Sequence, residues 1–162
     1  MNLTEFQTNL IHYPRILFML SSHSPITPPE ETQNEILSVP QTINNAFKKD
    51  LIMVKCNLEL GKYIACFMMY RGDIISKDVN ASIALIKNKN SIKFVDLVPI
   101  GFKYGINYQS STVVQGGEIG NVMRSLCMIS NSNSISQVFS KICRKFDRCS
   151  RESFAALEFD YK

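Results

Sequence analysis

The 162-residue sequence predicts a single α+β domain in which helices pack on a mixed four-stranded sheet. The first indication is Lys62–Asp73, which is apolar on both side-chain parities, as in a strand buried on its two faces. The second is a change to helical spacing directly afterwards, where Val79, Ile83 and Ile86 share one face. Ile92–Val98 is extended again, so the centre of the chain is predicted to be a strand, a helix and a strand.

The N-terminal part is predicted to be a short helix, a strand and a loop. Apolar residues recur at helical spacing over residues 3–10, and Asn2 and Glu5 fit a capping box at the start of this helix. Arg15–Leu20 is the predicted strand. Ser21–Glu31 contains three prolines and is predicted to be a loop.

A second helix is predicted after Ser38, which can cap it, with a proline in the first turn. Val39, Ile43 and Phe47 form a narrow apolar stripe along this helix. Leu51–Cys56 is predicted to be a short strand before the central unit.

Three further features complete the predicted elements. Ser76 can cap the helix of the central unit, and Asn121–Ser130 is rich enough in apolar residues for another interior strand. The last helix is predicted to start at Ser132 or Ser134. Its apolar stripe comprises Ile135, Val138, Phe139, Ile142 and Phe146.

The composition is that of an ordinary globular chain, with 45% hydrophobic and 20% charged residues. No apolar run is long enough to cross a bilayer, and the N-terminus lacks the basic and apolar parts of a secretion signal, which predicts a cytoplasmic protein. The five cysteines are an odd number without a C-x-x-C pair. We therefore expect buried, reduced thiols rather than disulfides or a zinc site.

The net charge is +4, and basic residues are densest over Lys141–Arg151. Such a cluster can contact phosphate or an acidic protein surface, although most such clusters are solvated helix faces. A nucleic-acid-binding protein is therefore an alternative that we do not favour. His12 and His23 lack a suitably spaced Cys or carboxylate partner, which predicts surface histidines rather than metal ligands.

Four motifs follow one another along the chain: YRGD at 70–73, KDVNASIALIK at 77–87, FVDLVPIGFKYGINYQ at 94–109 and TVVQGGEIGNV at 112–122. In order and spacing they resemble the C-terminal half of α-tubulin, and the last resembles its longer α-type loop. The likeness extends from Leu3 to Asp147. It implies a tubulin C-terminal (intermediate) domain over residues 1–148 and a truncated remnant of the C-terminal helical region over residues 149–162.

The resemblance implies a structural constituent of the microtubule cytoskeleton that pairs with β-tubulin. It places the longitudinal contact at the helix of Glu5 and the loop around Tyr13, and the lateral contact at Ser21–Glu31. Relatives cover one side of this domain with a core helix and a nucleotide domain. The chain should therefore expose apolar surface and associate with β-tubulin, with a chaperone or with itself. An alternative is an interaction module that modulates tubulin assembly without entering the lattice.

Glu5 is the candidate catalytic residue, because LTEFQTNL resembles the family segment whose glutamate faces the nucleotide of the next β-subunit. There a carboxylate helps to position the water that attacks the γ-phosphate. Glu5 would act in trans, so the chain would not be an autonomous enzyme. The competing interpretation is the capping box with Asn2, which itself stands where the family has an aspartate.

A nucleotide site within this chain is not expected. GTP and Mg²⁺ belong to the full-length family, whose phosphate loop GGGTGSG lies in the N-terminal half and has no counterpart in these 162 residues. Gly116–Gly120 is the nearest glycine run and is predicted to be a turn, since no strand-to-helix setting surrounds it. We predict no cofactor and no metal in the chain itself.

Overall fold

A computed structural model describes residues 3–32, 37–88, 92–95 and 101–159, apart from the side chains of residues 6, 101 and 152–159. Its four strands are β1 (Met19–Ser24), β2 (Tyr63–Gly72), β3 (Gly101–Asn107) and β4 (Arg124–Ser132). They form one sheet in the order β1-β4-β2-β3. Strand β4 is antiparallel to β1 and β2, whereas β3 is parallel to β2. The predicted mixed four-stranded sheet is confirmed.

Strand β2 is interior, as the sequence predicted, because β4 and β3 pair with its two edges. Eight of its ten residues are buried, so both of its faces are covered. Met68 and Tyr70 join the core on one face, whereas Ala65 and Phe67 belong to a separate cluster. The apolar run on both parities therefore reflects two packed faces.

The described helices are α1 (Leu3–Leu10), α2 (Val39–Ala46), α3 (Ser76–Lys87) and α4 (Ser136–Phe159). Helices α2 and α3 cover the face of Met68 and Tyr70, and α1 packs on Ala65 and Phe67 through Leu10. The principal core cluster consists of Val39, Ile43, Ala46, Met68, Tyr70, Ile74, Val79, Ile83, Ile86, Leu126 and Met128.

Helices α2 and α3 differ in how their starts follow the local signals in the sequence. Before α2, the Gln41 side-chain oxygen accepts a hydrogen bond of 3.0 Å from the Ser38 N–H, as in half of a capping box. Ser76 was predicted to cap α3, but it is the first helical residue and Ile75 is the N-cap. The Ile75 carbonyl already accepts hydrogen bonds from the Asp78 and Val79 N–H groups, so the helix begins one residue earlier than predicted.

Strand β1 begins and ends four residues later than the predicted strand over Arg15–Leu20, so that prediction was wrong. The Tyr13 carbonyl accepts a hydrogen bond from the Ile16 N–H, and this turn delays the extended conformation. Ser22 and Ser24 lie in the strand and are buried despite their polarity. The three prolines of residues 21–31 predicted a loop there, and the polar residues of the strand gave no apolar alternation to set against that prediction.

The second strand of the predicted central unit lies later in the chain than expected. Ile92–Val98 was the predicted strand, but its described part contributes an isolated bridge between Tyr63 and Phe94, and residues 96–98 lie outside the described residues. Strand β3 follows it, with Phe102, Tyr104 and Ile106 packed on the core. These three residues alternate as a strand requires, and the intervening glycine obscured the pattern.

Leu51–Cys56 is not a strand. Lys49–Leu51 forms a short 3-10 turn, after which Ile52 makes an isolated bridge to Ser22. The Met53 N–H donates a hydrogen bond of 3.0 Å to the Ser21 carbonyl. This segment therefore covers the outer edge of β1 and limits edge-to-edge pairing there.

Among the side chains of α4 that the structure describes, those near its start pack on the domain. A 3-10 turn at Asn133–Ile135 leads into it, with the Ser132 hydroxyl accepting a hydrogen bond from the Ser134 N–H. Ile135 and Val138 pack near Leu20. All residues over 139–149 are exposed, so the predicted stripe is packed at one end only. The predicted boundary at 148/149 falls inside this continuous helix and stays a prediction.

Candidate functional site

Exposed apolar side chains meet where the chain enters β1 and where α4 leaves the domain. The ring centroids of Phe18 and Phe139 are 4.5 Å apart. Ile142 is 57% exposed and Phe146 is 71% exposed, and both follow Phe139 on one helix face at steps of three and four residues. We call Phe18, Phe139, Ile142 and Phe146 the apolar surface. A contiguous exposed apolar surface of this kind marks a site of contact with another molecule.

Helix α1 precedes Phe18 in the chain and presents Glu5 to solvent. Leu10 is buried against the sheet at its C-terminal end, whereas Leu3 is 84% exposed at its start. The exposed Glu5 lies in the first turn, where the helix dipole favours a carboxylate. Asn2, its predicted capping partner, lies outside the described residues. The role of Glu5 in trans stays a prediction.

One buried amide holds the connection between α1 and β1. The Asn131 Nδ2 atom donates to the Leu10 carbonyl at 3.0 Å and to the Ile16 carbonyl at 3.1 Å. These carbonyls lie at the two ends of the connection, so Asn131 fixes the loop that exposes Tyr13. Sequence reasoning missed Asn131; the only signal was an asparagine, which strands disfavour, inside an apolar segment.

A second link joins α1 to the far edge of the sheet. The Lys103 Nζ group on β3 donates a hydrogen bond to the Asn9 side-chain oxygen. Helix α1 is thereby held by a buried contact at Leu10 and by a polar contact to β3. No pattern in the sequence indicated that these two distant residues pair.

The predicted lateral-contact segment, Ser21–Glu31, divides into two parts. Residues 21–24 belong to β1, and His23, predicted to be a surface residue, is half-buried there. The remaining loop packs on Gly120, whose N–H donates a hydrogen bond of 2.9 Å to the Thr27 carbonyl. A Cβ at Gly120 would lie 2.9 Å from Pro29 Cα, so only glycine permits this approach. Ile26 stays 51% exposed on the same loop.

The glycine run at Gly116–Gly120 is a turn, as predicted. The Gly117 N–H donates to the Val114 carbonyl, and Gly116 has a φ of 78°. The next regular element is strand β4 rather than a helix. A phosphate cradle uses the N-terminal N–H groups of a helix, so this segment does not fit a nucleotide phosphate. Within the described ranges, no group of three or more His, Cys, Asp or Glu residues is placed to hold a metal ion.

The buried thiols are unsuited to nucleophilic chemistry. Burial raises the pKa of the Cys56, Cys66 and Cys127 thiols, so they are protonated near neutral pH. Cys143 and Cys149 are exposed on α4. The expectation of buried cysteines therefore holds for Cys56 and Cys66 but was wrong for the α4 pair, because the helix projects from the core.

The domain has a mixed sheet with helices on both faces and an exposed apolar surface. It belongs to the class of domains that work through contacts with other protein chains. The Tubulin C-terminal domain family matches residues 14–144, most of the sequence. The chain belongs to this family, and its role is tubulin-like and cytoskeletal, with contacts to other tubulin subunits. None of the helices in the described ranges is long and apolar enough to span a membrane.

Proposed function

We propose that this chain is an α-tubulin-like structural constituent of microtubules that pairs with β-tubulin in the cytoplasm. The observation that carries the proposal is the apolar surface on a tubulin-family domain. Burial of apolar area against a neighbour contributes about 25 cal/mol per Å², so a partner subunit would stabilise this part of the chain. The α-type motif at 112–122 supports the α assignment.

Besides the apolar surface, the proposed longitudinal and lateral contacts use two other parts of the domain. The longitudinal contact uses α1 with Glu5 and the exposed Tyr13 of the following loop. The Asn131 hydrogen bonds preorganise that loop, which lowers the entropy lost on association. The lateral contact uses the loop around Ile26, held in place by Gly120.

In this proposal Glu5 acts on a nucleotide that another subunit binds. Its carboxylate would orient the attacking water beside the γ-phosphate, while the phosphate-binding groups and Mg²⁺ belong to the partner. The chain itself is proposed to supply one side chain to the reaction and no cofactor site.

Copolymerisation with purified tubulin tests the structural role. We expect the chain to pellet with microtubules in proportion to tubulin and to label them along their length. Saturation at a small fraction of tubulin, with label at the ends, would instead support a module that modulates assembly from outside the lattice. Absence from both the pellet and the ends would contradict the proposal.

The Glu5→Gln variant tests the role in trans. It should enter microtubules as the parent chain does, while GTP hydrolysis at the contacted subunit slows by about a hundredfold, the usual scale for a general-base residue. Glu59→Gln, on an exposed turn elsewhere, is the matched control. Equal hydrolysis rates for the two variants would assign Glu5 a purely structural place in α1.

A further inference from the structure

A depression of about 540 Å³ lies between the start of α4 and the segment that precedes β2. Three lysines line it: Lys49 and Lys55 from the segment before β2, and Lys141 from α4. The remaining lining residues are Asp50, Ile52, Cys56, Asn57 and Gln137. Three ammonium groups and one carboxylate thus surround one small depression, which gives it a positive potential.

The positive charge continues from this depression along α4. Lys141 is followed at helical spacing by four further basic residues, and all of them are exposed. The five residues cover about 15 Å of helix, on the side away from Ile142 and Phe146. We call the depression and this helix side together the basic groove. Its α4 residues are Lys141, Arg144, Lys145, Arg148 and Arg151.

The two sides of the depression are held in fixed relation by a reciprocal pair of hydrogen bonds. The Asn57 N–H donates to Gln137 Oε1 at 3.0 Å, and Gln137 Nε2 donates to the Asn57 carbonyl at 3.0 Å. Gln137 lies one helical turn before Lys141. The start of α4 and the backbone next to Lys55 are therefore held together before any ligand arrives, which reduces the entropic cost of binding.

We propose that the basic groove binds an acidic peptide segment, rich in Asp and Glu, of a protein partner. Carboxylates spaced along an extended peptide match a row of cations of this length, and each contact is a charge-assisted hydrogen bond. The depression receives the first carboxylates, and the α4 side chains receive those that follow. The apolar surface on the other side of α4 stays available for tubulin contacts.

The lining of the depression offers no means of reading nucleic-acid bases or of stacking on them. Base-edge readout needs side-chain amides or guanidinium groups with unused donors and acceptors. The Gln137 amide is already bonded to the Asn57 backbone, and Asn57 Oδ1 accepts from the Glu59 N–H. None of the residues described as lining the depression is aromatic, so single-stranded bases would find no stacking platform there.

Fluorescence anisotropy with a labelled poly-glutamate peptide and the full chain tests the proposal. We expect saturable binding that weakens as salt is added, because the contacts are exposed ion pairs. Lys141→Glu should weaken it by about tenfold, and adding Lys49→Glu should abolish measurable binding. Lys77→Glu makes the same charge change on exposed α3 and should alter the affinity by less than about twofold. Lys141→Arg should retain binding.

Three outcomes would overturn the proposal. Equal losses in Lys141→Glu and Lys77→Glu would show that net charge alone attracts the peptide. Tighter binding of a mixed-sequence single-stranded DNA that displaces the peptide would make the groove a nucleic-acid surface. Unchanged peptide affinity in Lys55→Glu and Lys141→Glu, with circular dichroism like that of the parent chain, would place the binding elsewhere.

Discussion

Strand β2 and helix α4 are both rich in apolar residues, yet they occupy opposite environments. In β2, Met68 and Tyr70 are fully buried between helices and sheet. In α4, Ile142 and Phe146 carry comparable apolar area and are mostly exposed. The difference lies in the neighbours rather than in the residues. Burial in β2 stabilises this domain, whereas the exposed area of α4 is available to stabilise a complex.

Thiol reactivity gives the largest expected contrast between the two elements. Cys143 on α4 is exposed, whereas Cys66 in β2 is buried and has a raised pKa caused by that burial. Cys66 should react only when the domain opens, so its labelling should be slower by about a thousandfold or more. Mass spectrometry of peptides after timed treatment with a thiol reagent would measure both rates. Similar rates would mean that β2 is not stably enclosed.

The same burial predicts a loss of stability in alkali. The pKa of the Cys66 thiol is raised above its ordinary value of 9.0, and burial likewise raises the pKa of the Tyr63 and Tyr70 hydroxyls. The folded state thus favours the neutral groups, and the unfolded state ionises first. This contribution is fully present below pH 9.0 and is lost as the pH rises above it. Urea titrations should show the decline, and Cys66→Ala should reduce it.

The end of β2 provides a sharp test of packing. Gly72 has a φ of 102°, and a Cβ there would lie 1.8 Å from the Met123 carbonyl oxygen. Gly72→Ala should lower the free energy of unfolding by about 2–5 kcal/mol, because both the conformation and the clash oppose a side chain. Gly105→Ala on β3 meets no atom within 4 Å and should change it by less than about 1 kcal/mol. Equal effects in thermal or urea unfolding would contradict this packing.

Substitutions on α4 should change stability least and association most. Ile142→Ser and Phe146→Ser should alter the free energy of unfolding by about 0.5 kcal/mol or less, because both side chains are already exposed. Their affinity for tubulin should fall by about tenfold. Leu85→Ser on α3, where Leu85 is 59% exposed, is the control that should retain affinity. A large loss of stability in the α4 variants would show that this stripe packs within the chain.

The predictable parts of the fold are those in which a local run or stripe of apolar residues is buried in the core. Strand β2 was predicted because its continuous apolar run is buried on both faces, and the stripes of α2 and α3 were predicted because each is buried on one helix face. Strands β1 and β3 were displaced because Ser22, Ser24 and a mid-strand glycine weaken that period. Their positions depend on pairing with β4 and β2, which a local pattern does not encode.

Local order along the chain determined the helices, the interior strand β2, the family resemblance and the presence of a basic cluster near the C-terminus, because these depend on residue spacing alone. The tertiary structure decided which apolar side chains are enclosed, that Asn131 joins the two ends of the α1–β1 connection, and that Lys49 and Lys55 face Lys141. Residues more than eighty positions apart meet there through sheet pairing and helix docking. Burial and charge clustering are properties of those meetings, so spacing along the chain could not reveal them.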